Sequence, residues 1–183
     1  MWIRRSPADD RDAAKRGVRP SKEGNRAHFR ALAARRRAPG LLAYDGRDAV
    51  GFASLGPRSD MRRVDASKTT PPVDELAVWV VPCLYVHPHH RGREVTVALL
   101  RAAVDYAGRH GAPAVEGYPR APGTRVSDDA AFFGSVEMFR RAGYRAVRRP
   151  PADLRKGWVP RYAMRAACPL AIRRGGKVPT VNS

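Results

Sequence analysis

Apolar positions along this chain change their spacing from block to block, and each spacing predicts a different element. In "NRAHFRALAARRR", Ala27, Leu32 and Ala33, with Phe29 between them, follow the helical period. An amphipathic helix is expected over about Arg26–Arg37, capped by Asn25 and stopped by Ala38-Pro39-Gly40. The runs "LLAY" and "AVGFASL" lie either side of Asp45-Gly46 and predict a hairpin. The next stretch, Gly56–Asp74, is polar, basic and closed by Pro71-Pro72, and reads as a long exposed loop of the kind that borders binding sites.

"ELAVWVVPCLYVHP" is continuously apolar, as a central strand is when both its faces are covered. Pro82 within it has no amide to give the ladder, so the strand is expected to bulge or part from a neighbour there. From Arg93 the helical period returns, with Val97, Leu100, Val104 and Ala107 on one face and Gly111 as the stop. "APAVEGYP" is a short strand. Asp128–Tyr144 is a second helix, capped by Asp128 or Asp129 and stopped by Gly143. "RAVRR" and "RYAMRA" are two closing strands. Strand and helix alternating after a hairpin predict a mixed α/β sheet in one layered domain, residues 1–168, followed by a flexible basic tail, 169–183.

Composition fits a globular chain: 183 residues with 43% hydrophobic content suffice for a real core. The longest apolar run, Leu76–Val86, falls far short of the roughly 20 residues of a membrane span. The first ten residues lack the apolar core of an export signal. Cys83 lies in a predicted buried strand and Cys168 in a Pro/Gly-rich segment, which argues against a structural disulfide and for a reduced, cytoplasmic setting. The net charge of +18 favours polyanions as partners. Against a nucleic-acid role, the arginines are scattered, lysine occurs only at positions 15, 22, 68, 156 and 177, and no aromatic platform accompanies the basic segments.

Candidate chemistry gathers in "VHPHHRGREVTVALL", Val86–Leu100. His87, His89 and His90 are spaced so that their imidazoles diverge, and no cysteine pair or second histidine motif lies near, so no metal is expected. The stretch reads instead as strand, short loop, then helix. A helix N-terminus offers unpaired N–H groups and the positive end of its dipole, Gly92 lets the backbone approach a ligand, and Arg91 and Arg93 add charge. That combination suits an anion.

The same stretch resembles the pyrophosphate loop of the GCN5-related N-acetyltransferases, in which a strand ending in Val-x-Pro leads through Arg/Gln-x-x-Gly-x-Gly/Ala into a helix with paired leucines. "VEGYP" and "MFRRAGY" resemble the family's following strand and the Gly-Phe/Tyr close of its last helix, so the resemblance covers about Pro39–Arg165. It implies a single-domain α/β fold with a mixed, mostly antiparallel central sheet flanked by helices. It also implies acetyl-CoA as co-substrate, held by Leu84, Tyr85, Val86, Arg91, Gly92, Arg93, Glu94, Val95, Thr96 and Phe139. Two positions depart from the pattern: Glu94 stands at the first glycine and Thr96 at the second small residue. A bare carboxylate about 6 Å from one phosphate charge costs about 2–3 kcal/mol at an effective dielectric near 20.

The reaction the resemblance implies is direct attack of an amine on the acetyl thioester, with deprotonation of the amine and protonation of the leaving thiolate. Phe139 occupies the place of the family's usual tyrosine and has no proton to give; Tyr118 is the substitute acid and Glu116 the candidate base, with Asp74, Glu75 and Ser135 as weaker candidates. The acceptor is expected to be a small-molecule or peptide amine, acidic or neutral rather than a polyamine, chosen by the Arg26–Arg37 helix, the Arg58–Val73 loop and the Pro119–Asp129 loop. The competing readings are a catalytically degenerate binding or regulatory protein of the same fold, motivated by Glu94 and Phe139, and an RNA-associated basic protein, motivated by the charge.

Overall fold

The computed structural model describes residues 4, 7–17, 21–124 and 132–169. β1 (Gly40–Asp45) and β2 (Asp48–Pro57) form the expected hairpin, and β2 pairs antiparallel with β3 (Trp79–Val86). β3 runs parallel to β4 (Ala114–Gly117). β6 (Ala163–Ala167) then inserts antiparallel between β4 and β5 (Arg145–Arg148), giving one six-stranded sheet in the order β1-β2-β3-β4-β6-β5. Among the described strands the parallel pair β3 and β4 is joined through α4 (Val95–Arg109).

Both faces of the sheet are covered, which is why β3 shows no apolar–polar alternation. On one face Leu99, Leu100, Ala103 and Ala107 of α4 pack on Ala53, Leu55, Val81 and Val115. The short helix α5 (Val136–Arg141) adds Val136 and Phe139 to that cluster. On the other face Met61, Val64, Val78, Val80, Ala114, Tyr118 and Ala163 form a second cluster. β4 alternates between them: Val115 and Gly117 face α4 and α5, while Ala114, Glu116 and Tyr118 face the second cluster.

Several expected elements differ in extent. α2 spans Lys22–Ala33 rather than Arg26–Arg37, because Ser21 and not Asn25 caps it, its hydroxyl accepting from the Gly24 amide at 2.9 Å. α1 (Pro7–Lys15) precedes it, and Asp9 and Asp10 of α1 pair with Arg62 and Arg63. The 56–74 stretch is not an exposed loop throughout: it holds a 3-10 turn at Arg58–Asp60 and α3 (Arg62–Asp65), with Arg58, Met61, Val64 and Thr70 buried. The second predicted helix starts at Val136, capped by Ser135, while Asp128 and Asp129 lie outside the described residues, as does the tail from 170 onward. Cys168 belongs to the core rather than a tail, fully buried and donating its amide to the Pro113 carbonyl. No helix among the described residues is long and apolar enough to cross a membrane.

Pro82 acts as its missing amide requires. Between the pairs Ser54↔Cys83 and Gly56↔Val80, Leu55 alone lies opposite Val81 and Pro82, a bulge on β3. At the same point β3 leaves β4: their pairing covers Trp79↔Val115, Val80↔Glu116 and Val81↔Gly117 and then stops. From Pro82 to Val86, β3 keeps β2 as its neighbour and faces a gap on the β4 side.

Gly117 closes β4 where no side chain fits. A Cβ built there would lie 2.0 Å from the Phe139 ring, far inside contact distance. Gly117→Ala is therefore expected to destabilise the fold by about 1–3 kcal/mol, through displacement of the buried Phe139. A lowered midpoint in denaturant unfolding checks this; an unchanged midpoint contradicts the packing.

Candidate functional site

The gap beside β3 is bounded on its α5 side by two residues from distant parts of the chain. Leu84 of β3 and Phe139 of α5 converge on Gly134, each 3.3 Å from where a Cβ would stand. Phe139 also packs edge-on against Tyr144, ring centres 5.1 Å apart, and is fully buried. Tyr85 projects to the opposite face, 43% exposed, and Val86 is half-buried at the mouth. Apolar side chains thus border the gap, and the β3 backbone beside it has no β4 partner.

The loop beyond Val86 turns through Pro88–His90 and reaches α4 with Gly92 and Glu94 both in the left-handed region, at φ 75° and 63°. Arg91 folds back, donating to the Val86 carbonyl at 3.3 Å. Arg93 and His90 both approach Asp45, at 3.9 and 3.4 Å. Arg91, Gly92, Arg93 and Glu94 are exposed, and Val95 and Thr96 half-buried, around a helix start that no side chain caps. Its first amides have no partner within the helix, as at any helix start, and such amides suit an anion.

Glu94 is the only non-glycine residue at positive φ among those described. It has the conformation a glycine takes without cost and a side chain pays for by roughly 1–2 kcal/mol. Its carboxylate does not point unpaired at the loop: Arg141, at the end of α5, pairs with it at 2.5 Å, and Arg101 of α4 in turn donates to the Arg141 carbonyl at 2.8 Å. Arg141 was not singled out from the sequence, because nothing local places the end of α5 against this loop.

Glu116 and Tyr118 come together, away from the gap. Glu116 is 1% exposed; its Oε1 accepts from Nε and a terminal nitrogen of Arg165 at 2.8 and 2.6 Å, and its Oε2 accepts from the Tyr118 hydroxyl at 2.8 Å. The Tyr118 oxygen accepts from Arg58 at 2.5 Å. Arg58 continues to Asp65 and to the carbonyls of Val64 and Thr70. Arg165 forks onto Asp74 at 2.7 and 2.9 Å, which holds that carboxyl below the usual range. Glu75 is exposed, and Ser135 serves as the α5 cap. Both Glu116 oxygens are already hydrogen-bonded and the Tyr118 proton is committed to one of them, so the pair ties β4 to β6 and to the Arg58 segment.

Burial, reinforced by the Glu116 carboxylate, pushes the Tyr118 phenol above the ordinary tyrosine range, and burial does the same for Tyr144. Cys83, half-buried on β3, is likewise pushed up by burial.

The profile of the Acetyltransferase (GNAT) family matches residues 8–144. Among solved structures, yncA from Salmonella typhimurium, solved with its cofactor acetyl-CoA, superposes with a TM-score of 0.51 at 21% identity, covering 82% of this chain and 76% of that one. Ribosomal-protein-alanine N-acetyltransferase from Brucella melitensis gives 0.54 at 17%, covering 80% and 79%. Naa20 from Chaetomium thermophilum, in complex with a bisubstrate analogue, gives 0.51 at 16%, covering 86% and 78%. These likenesses are of fold. No curated protein matches the sequence.

The raised phenols set the sign of alkaline stability. A group whose folded pKa lies above its unfolded one favours the fold fully below the unfolded value, 10.0 for these tyrosines, and that stability is lost as pH rises past it. Ultraviolet titration is expected to show Tyr118 and Tyr144 ionising only as circular dichroism reports unfolding; all six tyrosines titrating with the fold intact contradicts their burial.

Proposed function

We propose, from the premise that the chain belongs to the Acetyltransferase (GNAT) family, that it transfers an acetyl group from acetyl-CoA to a primary amine in a ternary complex. The observation that carries this reading is the parting of β3 from β4 after Val81↔Gly117, immediately upstream of a helix N-terminus that no side chain caps. An extended chain with an anionic end fits that sequence of slot and helix start. The α4 amides, with Arg91 and Arg93, would hold a pyrophosphate; Leu84, Val86 and Phe139 would line the pantetheine arm. Gly92, Val95 and Thr96 would complete this path, with Tyr85, whose side chain turns to the other face, contributing only backbone.

Acetyl-CoA supplies the thioester, whose C–S bond breaks as the amine nitrogen bonds the carbonyl carbon, with the amine proton passing through solvent to the leaving thiolate. The chain supplies position and polarity. Amides of Cys83–Val86 that point away from β2 have lost β4 as a partner and are placed to polarise a carbonyl in the gap. Glu116 and Tyr118 act in this reading by fixing β4 beside the gap, since their hydrogen-bonding capacity is occupied by Arg165 and Arg58. Proton movement then rests on water rather than on Phe139.

Arg141 offsets most of the Glu94 penalty, because an exposed, paired carboxylate projects little field. A second reading, a fold kept for binding alone, rests on Glu94 and Phe139. Calorimetric titration separates the outcomes. Acetyl-CoA is expected to bind in the micromolar range, and Glu94→Gly to tighten it by about three- to tenfold at low salt, where loss of the carboxylate counts most. Binding with turnover of simple amines supports transfer; binding without turnover of any amine supports the second reading; no binding by either protein contradicts both cofactor and loop.

A further inference from the structure

On the sheet face away from α4 and α5 lies a cavity of about 770 Å³, between the Arg63–Thr70 segment, Phe133 and the connection from β5 to β6. Val64, Phe133 and Trp158 give it apolar walls; Arg63, Lys68 and Arg161 give it charge, and no acidic residue lines it. Arg63 is paired with Asp10. Lys68 is exposed and has no ion-pair partner among the described residues. Arg161 is the unusual member. It is 7% exposed, its guanidinium lies 3.6 Å over the Phe133 ring, and one terminal nitrogen donates to the Tyr118 carbonyl at 3.2 Å. No carboxylate among the described residues pairs with it. Burial lowers its pKa to about 10, so it remains cationic at neutral pH. A cation withdrawn from water with a ring and one carbonyl as its partners has hydrogen-bonding capacity left for an anion.

The cavity adjoins the gap at its closed end. Phe133 precedes Gly134, which meets Leu84 and Phe139 on the other face. Arg161 holds the carbonyl of Tyr118, the residue after Gly117, where β4 leaves β3. Arg120 bridges to both Ser135 and Arg161, so these segments form one wall between cavity and gap. We propose, resting on the acyl-transfer reading above, that this cavity holds the acceptor, and that the acceptor is a primary amine bearing a carboxylate and an apolar body. The carboxylate is set against Arg161 and Lys68, the apolar part against Trp158 and Phe133, and the amine toward the Gly117 end of the gap. Polyamines are excluded by the same cations.

The test measures initial rates at saturating acetyl-CoA for matched amines that differ in carboxylate against carboxamide, L-phenylalanine and L-phenylalaninamide first, with spermidine as the cationic control. Rates are compared at equal concentrations of the unprotonated amine. The carboxylate is expected to lead in kcat/KM by about tenfold or more, the margin of one charge-assisted contact. Lys68→Ala and Arg161→Gln are each expected to raise KM for the carboxylate and draw the ratio toward one, with the exposed Lys68→Ala leaving the calorimetric affinity for acetyl-CoA unmoved; Arg161→Lys is expected to keep part of the preference. Should Arg161→Gln fail to fold, the exposed Lys68 carries the comparison. An amide or spermidine used as well as the acid, a ratio unchanged in the variants, or bound acetyl-CoA with no turnover of any probe overturns the inference. Failure of acetyl-CoA to bind overturns the acyl-transfer reading instead.

Discussion

Pro82 has no amide hydrogen to offer a neighbouring strand, and in a strand with a partner on each side that loss has to fall somewhere. Here it falls at one point on both edges. Toward β2 the ladder survives by a bulge in which Leu55 spans Val81 and Pro82. Toward β4 the pairing ends one residue earlier, at Val81↔Gly117. The slot, the apolar pair Leu84 and Phe139 at its edge, and the backbone left without a partner all follow from that break. So does the need for the Arg58–Tyr118–Glu116–Arg165–Asp74 network, which anchors β4 by its side chains where only three residue pairs hold it to β3.

A second constraint sits at the start of α4. The loop geometry requires a left-handed residue just before α4, and the sequence places a glutamate there. The charge is met by a neighbour: Arg141 neutralises the carboxylate, and Arg101 holds Arg141 in position through its carbonyl. The backbone strain remains. A loop built in this way keeps its shape while its charge toward an anion depends on a side chain from another helix.

The hairpin, the Pro82 break, α4 and the fold class were legible because they depend on local spacing and on one residue with a fixed chemistry. Less legible was anything that depends on parity or on distance. β4 is short and covered on both faces, so "AVEG" carries no alternation to say which way Glu116 points; the structure turns it from the gap toward Tyr118. Arg58–Asp65 looked like exposed loop because its residues are polar, yet a single buried guanidinium satisfies the carbonyls of Val64 and Thr70 and folds the segment inward. Arg4 likewise closes on the carbonyls of Pro39 and Leu55, and Arg148 on that of Pro71. Part of the large positive charge is therefore internal carpentry: a planar group with five donors can staple several carbonyls at once, which lysine cannot. Composition alone does not distinguish that use from a polyanion-binding surface.

The central claim is that the break at Pro82 and the uncapped start of α4 together form the seat of acetyl-CoA. A crystal structure of the protein with acetyl-CoA tests it most directly. The account predicts the pyrophosphate on the amides between Gly92 and Thr96 and the pantetheine arm between β3 and β4 along Leu84 to Val86. Density for acetyl-CoA elsewhere on the molecule, with none between β3 and β4, would contradict it.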